Sequence, residues 1–220
     1  MPEPTHVTLT PPGGQSSAVA APSLAATKRI AVIGDSYTSG AGAQPWPQIV
    51  WDRLSEDDID VDAVVKGQGG SGYVTPGSDG GTTFAQRVAT TVRPDDTLIV
   101  FFGSRNDRGV PADKLSEAVR SSYAEAKQIA PAARLLVIGP AWPTAPAPPE
   151  IEAVRNVVRE QAAAAKATFL DPLAEGWLVG DPALIQPDGI HPTDAGQVVL
   201  ADKLTPAIKA QLQQASPSAP

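Results

Sequence analysis

From residue 28 onward the chain alternates short apolar, β-branched runs with longer stretches in which apolar residues recur at helical spacing. Unbroken apolar runs suit strands covered on both faces, and the 3.6-residue period suits helices that turn one side toward a sheet. The strands expected are residues 29–33, 61–66, 97–102, 134–138 and 168–170, and the helices are 44–54, 82–92, 111–130 and 149–165. Pro111 and Pro149 fit first helical turns, where a missing N–H costs nothing, and Ala130-Pro131 marks a stop. A last helix starts near Thr193 as N-cap, with Asp194 and Gln197 behind it. Val198, Val199, Leu200, Leu204 and Ile208 form its apolar stripe, and Pro206 is expected to kink or interrupt it. Repeated strand–helix units with right-handed crossovers predict an α/β fold. The expected form is a three-layer α/β/α sandwich around a flavodoxin-like five-stranded parallel sheet of order 2-1-3-4-5. Ligands of such sheets bind beyond the carboxyl ends of the strands.

Composition narrows the picture. With 220 residues and 42% hydrophobic content, one substantial core is expected, over residues 28–215. Residues 1–27 are rich in Pro, Ser, Thr, Ala and Gly and read as a disordered tail, and residues 216–220 read as a frayed end. Seventeen basic against 24 acidic side chains give a formal charge of −7, with no Lys/Arg cluster dense enough to follow a phosphate backbone, so nucleic acid is not an expected partner. The absence of cysteine excludes disulfides, thiolate metal sites and cysteine nucleophiles. No apolar run reaches the roughly 20 residues of a membrane-spanning helix, and the N-terminus lacks a signal-peptide pattern. The tail nevertheless has the composition of a spacer that follows a removed export signal or lipid anchor. A secreted or envelope-associated protein is therefore expected, with a natural cytoplasmic tail as the alternative.

The chemistry falls after the predicted strands. Of two histidines, His6 lies in the tail and His191 in Asp188-Gly189-Ile190-His191-Pro192. Gly34-Asp35-Ser36-Tyr37 follows the first strand and puts a hydroxyl at its edge, although Asp35 and Ser36 also suit an ordinary turn and cap. A serine hydroxyl needs a base at neutral pH, and imidazole is suited to the task. An acid three residues before a histidine can fix its tautomer, so Asp188 is the candidate orienter of His191. After the second strand, Gly67-Gln68-Gly69-Gly70-Ser71-Gly72-Tyr73 lets backbone N–H groups approach an oxyanion, but it lacks the features of a phosphate loop; its alternative is a flexible turn. After the third, Gly103-Ser104-Arg105-Asn106-Asp107 offers a neutral carboxamide, Asn106, or else an Asx-turn.

These stretches, Gly34-Asp35-Ser36-Tyr37, Ser71-Gly72-Tyr73, Gly103 with Asn106-Asp107, and Asp188 to Pro192, resemble in order the four blocks of the GDSL or SGNH hydrolase family. The resemblance implies the SGNH α/β/α sandwich and an esterase or lipase that uses no metal or organic cofactor. It assigns Ser36 as nucleophile, and His191 as general base, then acid, oriented by Asp188. The Ser36 N–H, Gly72 N–H and Asn106 side chain form the implied oxyanion hole, with Gly70 as the alternative to Gly72. Two departures stand out: Tyr37 replaces the usual leucine, and Ser104-Arg105 occupies a place where many members have one residue.

The expected partner is a small-molecule, glycan or lipid ester, with short acyl or acetyl esters favoured, on cell-envelope glycans or lipids. An O-acyltransferase using the same residues and a non-catalytic glycan-binding module are the alternatives. Trp142 and Trp177, in predicted loops near strand ends, are read as core or loop anchors, with stacking on a sugar or acyl group as the other reading. The proline-dense stretch 140–149 is expected to be stiff and to wall one side of the cleft.

Overall fold

The computed structural model describes residues 27–214. The tails expected over residues 1–27 and 216–220 thus lie outside the described residues, apart from Thr27. Strands β1 (Lys28–Gly34), β2 (Val61–Gly67), β3 (Leu98–Phe102), β4 (Arg134–Ile138) and β5 (Thr168–Leu170) form one sheet of order β2-β1-β3-β4-β5. Every neighbouring pair is parallel.

Because side chains alternate along a strand, each strand feeds two cores. Ile30, Val32, Leu98, Val100, Phe102, Leu136 and Ile138 face helices α2 (Trp46–Glu56) and α6 (Asp194–Gln213). Ala31, Ile33, Ile99, Phe101, Leu135 and Val137 face α3 (Phe84–Thr91), α4 (Ala112–Ile129) and α5 (Pro149–Ala164). The central strand β3 is buried at all five positions, which is why its sequence, Leu-Ile-Val-Phe-Phe, shows no polar alternation.

Local chemistry sets the helix ends. Thr83 and Gln86 make a reciprocal capping box at α3. The Thr193 hydroxyl accepts the Gly196 N–H at 3.2 Å and starts α6. Pro149 opens α5, whereas Pro111 sits one residue earlier than expected, as the N-cap of α4. Pro206 does not interrupt α6, which runs through it. Its ring is exposed and the carbonyl left without a helical donor belongs to exposed Asp202, so water can satisfy what the missing N–H cannot. Val198 likewise departs from the expected stripe and faces solvent.

Candidate active site

The site lies at the carboxyl ends of the strands. After β1 the chain turns at Asp35 into a four-residue helix, α1 (Ser36–Ser39), with Ser36 at its first position. The Asp35 carboxylate accepts the Tyr37 N–H at 2.9 Å and fixes that turn. Asp35 is fully buried, and desolvation pushes its pKa up to about 6 despite the Tyr37 N–H and the nearby Arg105 and Arg87 charges.

His191 comes to Ser36 across 155 residues of chain, with Nε2 3.1 Å from Oγ. Its Nδ1 lies 2.6 Å from Asp188 Oδ2. The other carboxylate oxygen, Oδ1, accepts the N–H groups of Ile190 at 2.8 Å and His191 at 3.0 Å. The hydrogen bond to the His191 ring and those two N–H groups hold the Asp188 pKa down to about 2. An ionised acceptor at Nδ1 favours the tautomer with its proton there, leaving Nε2 with a lone pair toward the serine hydroxyl. The three side chains singled out in the sequence are therefore joined in one hydrogen-bonded line.

The loop carrying the histidine is pinned at its base. Ile185 and Pro192 form an antiparallel bridge, and the Gln186 N–H donates to the His191 carbonyl at 2.7 Å. Gln186 Nε2 donates to the carbonyls of Ala41 and Pro192, at 3.1 and 2.8 Å. Buried Gln197 ties α6 to the serine segment, accepting the Trp46 N–H at 2.9 Å and donating to the Tyr37 carbonyl at 3.2 Å. Neither glutamine is a reacting group, and their roles depend on three-dimensional proximity that sequence spacing does not reveal.

The loop after β2 is held by a buried carboxylate. Asp107, fully buried beside Asn106, accepts the N–H groups of Tyr73, Val74 and Thr75 at 2.7, 3.2 and 2.9 Å. The Thr75 hydroxyl donates to the Asn106 carbonyl at 3.0 Å. Arg87 donates to Gln68 and to the Ser71 hydroxyl from the other side, so the stretch is anchored rather than a loose turn.

Asn106 Nδ2 donates to the Ser71 carbonyl at 2.8 Å. A carboxamide carries two hydrogens, and the second has no partner among the described residues. The Gly72 N–H is already engaged, donating to the Thr75 carbonyl at 2.8 Å. Gly72 is also buried, and a Cβ there would collide with the Ser104 hydroxyl and the Asp107 carboxylate. That corrects the preference for Gly72 as an oxyanion donor: its glycine is required by close packing. The Gly70 N–H, half-buried in the same loop, has no acceptor among the described residues.

Trp177 is buried in the core, as expected of an anchor, and Trp46 is buried there too. Trp142 packs its ring over the Arg105 guanidinium, with Cζ 4.5 Å from the ring centroid. An open cavity of about 640 Å³ runs along the histidine loop. Pro143 and Ala145 of the proline-dense stretch lie on one side, and Val179, Pro182, Ile185 and Pro187 are among the other lining residues, while Ser36, Asn106 and His191 are not part of its lining.

The chain's sequence matches the GDSL-like Lipase/Acylhydrolase family over residues 32–199. It is 46% identical over 191 residues to GDSL lipase Rv0518 of Mycobacterium tuberculosis, covering 83% of this chain and 82% of that protein. It is 28% identical over 191 residues to esterase TesA of Pseudomonas aeruginosa, covering 84% and 90%. A crystal structure of TesA superposes with a TM-score of 0.68 at 25% identity, over 84% of this chain and 99% of that one. The protein belongs to the GDSL-like lipase/acylhydrolase family, and it is a GDSL-type ester hydrolase. Among the described residues, no helix is long and apolar enough to cross a membrane.

Proposed function

We propose that the protein is a serine esterase that cleaves short-chain acyl esters through an acyl-enzyme on Ser36. The observation that carries this reading is the line Asp188–His191–Ser36, with contacts of 2.6 and 3.1 Å. Ser36 Oγ attacks the ester carbonyl while its proton passes to His191 Nε2. Collapse of the tetrahedral intermediate breaks the bond to the alcohol, which leaves with that proton. Water then attacks the acyl-enzyme, giving a proton to Nε2, and the second collapse releases the acid and returns the proton to Ser36. Asp188 stays ionised and stabilises the imidazolium formed in each half.

The oxyanion is met by the Ser36 N–H, which as the first of α1 has no intrahelical acceptor, by the second hydrogen of Asn106 and by the Gly70 N–H. The apolar cavity beside the histidine loop supports an ester with a modest apolar substituent, since its volume lies in the range of small-molecule sites. The spacer-like composition of the N-terminal tail supports action outside the cytoplasm, on envelope glycan or lipid esters.

The test incubates the protein and Ser36→Ala with 4-nitrophenyl acetate, butyrate and octanoate, each with and without a glycan acceptor. The reading expects release to water by the parent, fastest for the short chains, and none above background for Ser36→Ala. Acyl transfer to the glycan in preference to water would make it an acyltransferase, and equal rates for parent and variant would refute Ser36 as nucleophile.

A further inference from the structure

One of the two places where this chain departs from its family's sequence pattern reaches the loop that carries the histidine. Tyr37, in place of leucine, sits next to the nucleophile with its ring 1% exposed and packed edge-on to Phe102 at 6.2 Å between centroids. Its hydroxyl donates to the Ile190 carbonyl at 2.6 Å, across 153 residues of chain. Arg105, one of the two residues between Gly103 and Asn106, is 7% exposed, and its positive charge acts on the same phenol.

The Ile190 carbonyl and the His191 N–H belong to one peptide group. Its N–H is bound by Asp188 at 3.0 Å and its carbonyl by Tyr37 at 2.6 Å. A peptide is planar, so fixing both polar ends fixes the plane, and with it the direction in which the His191 side chain leaves the backbone. Asp188 is three residues from His191 on the same loop and moves with it. Tyr37 belongs to the serine segment, so its hydroxyl is the bond that ties the base's backbone to the neighbour of the nucleophile.

We infer that Tyr37 is a positioning residue that sets His191 against Ser36 through the Ile190 carbonyl. The inference rests on His191 and Ser36 acting as base and nucleophile. Ser36→Ala and His191→Ala test that premise separately, since activity surviving in either would remove the premise whatever Tyr37 does.

Tyr37→Phe keeps the ring and removes only the bond. Misplacement of a reacting group by a fraction of an ångström lowers turnover more than binding. The expected result is a fall of about ten-fold in kcat, with KM within about two-fold of the parent. Inactivation of Ser36 by an alkyl phosphonate should slow by a similar factor, and the low-field proton resonance of the His191–Asp188 bond should remain, because both residues share a loop. Parent-like kcat and inactivation rate in folded Tyr37→Phe would overturn the inference. So would a Tyr37→Phe protein that loses the His191–Asp188 resonance together with its cooperative melt.

Discussion

Asp107 accepts the backbone N–H of Tyr73 at 2.7 Å, across 34 residues of chain, and thereby locks the loop after β2 to the loop after β3. The same carboxylate binds the N–H groups of Val74 and Thr75, so three backbone donors depend on one fully buried side chain. Leaving a buried donor unpaired costs about 1–3 kcal/mol. Asp107→Ala is therefore expected to lose about 3 kcal/mol or more of folding stability, measured by urea denaturation, and to lose activity with it. A loss below about 1 kcal/mol would show that the loop finds other partners.

Asn106→Ala should separate chemistry from folding. Asn106 is only half-buried, and its removal leaves the Asp107 clamp in place. Loss of one oxyanion donor lowers turnover by about 10²–10³-fold. Steady-state hydrolysis of a short aryl ester should show that fall in kcat, with the thermal midpoint nearly unchanged. Parent-like turnover would remove Asn106 from the oxyanion site.

Asp35 gives a pH dependence of stability whose sign follows from its raised pKa. Between 3.8 and about 6 the folded protein holds this proton more tightly than the unfolded chain, so stability from this group is greatest below 3.8 and declines as pH rises toward 6. The rise corresponds to roughly 3 kcal/mol. Asn can cap α1 as Asp does but carries no charge. Asp35→Asn should therefore gain stability relative to the parent between pH 4 and pH 7, seen as a thermal midpoint that climbs against the parent's. A difference that stays constant with pH would contradict the buried-charge account.

The sheet was readable because its central strands are apolar at nearly every position, a pattern that only burial on both faces produces. Each expected strand agrees with the observed one to within a residue, from β1 at Lys28–Gly34 to β5 at Thr168–Leu170. Pro206 does not interrupt the helix as a break would, and the residue whose carbonyl loses its helical donor, Asp202, is exposed. Ser36, His191 and Asp188 stood out by residue type and position, and the fold joins them. Gly72 was misjudged because a glycine required by packing and one that bares its N–H look alike in sequence. The roles of Gln186, Gln197 and the Tyr37 hydroxyl were hidden for another reason: each partner is distant in sequence, and only the crossover connections bring it near.

The central claim is that Ser36 becomes covalently acylated with His191 as its base. Its most direct measurement is intact-mass and peptide mapping after treatment with an alkyl phosphonate ester, on the parent and on His191→Ala. The account predicts one adduct on the parent, on the peptide carrying Ser36, and a rate of modification reduced by at least about 10²-fold in His191→Ala. An adduct on another residue, or labelling of Ser36 at the same rate without the imidazole, would contradict it.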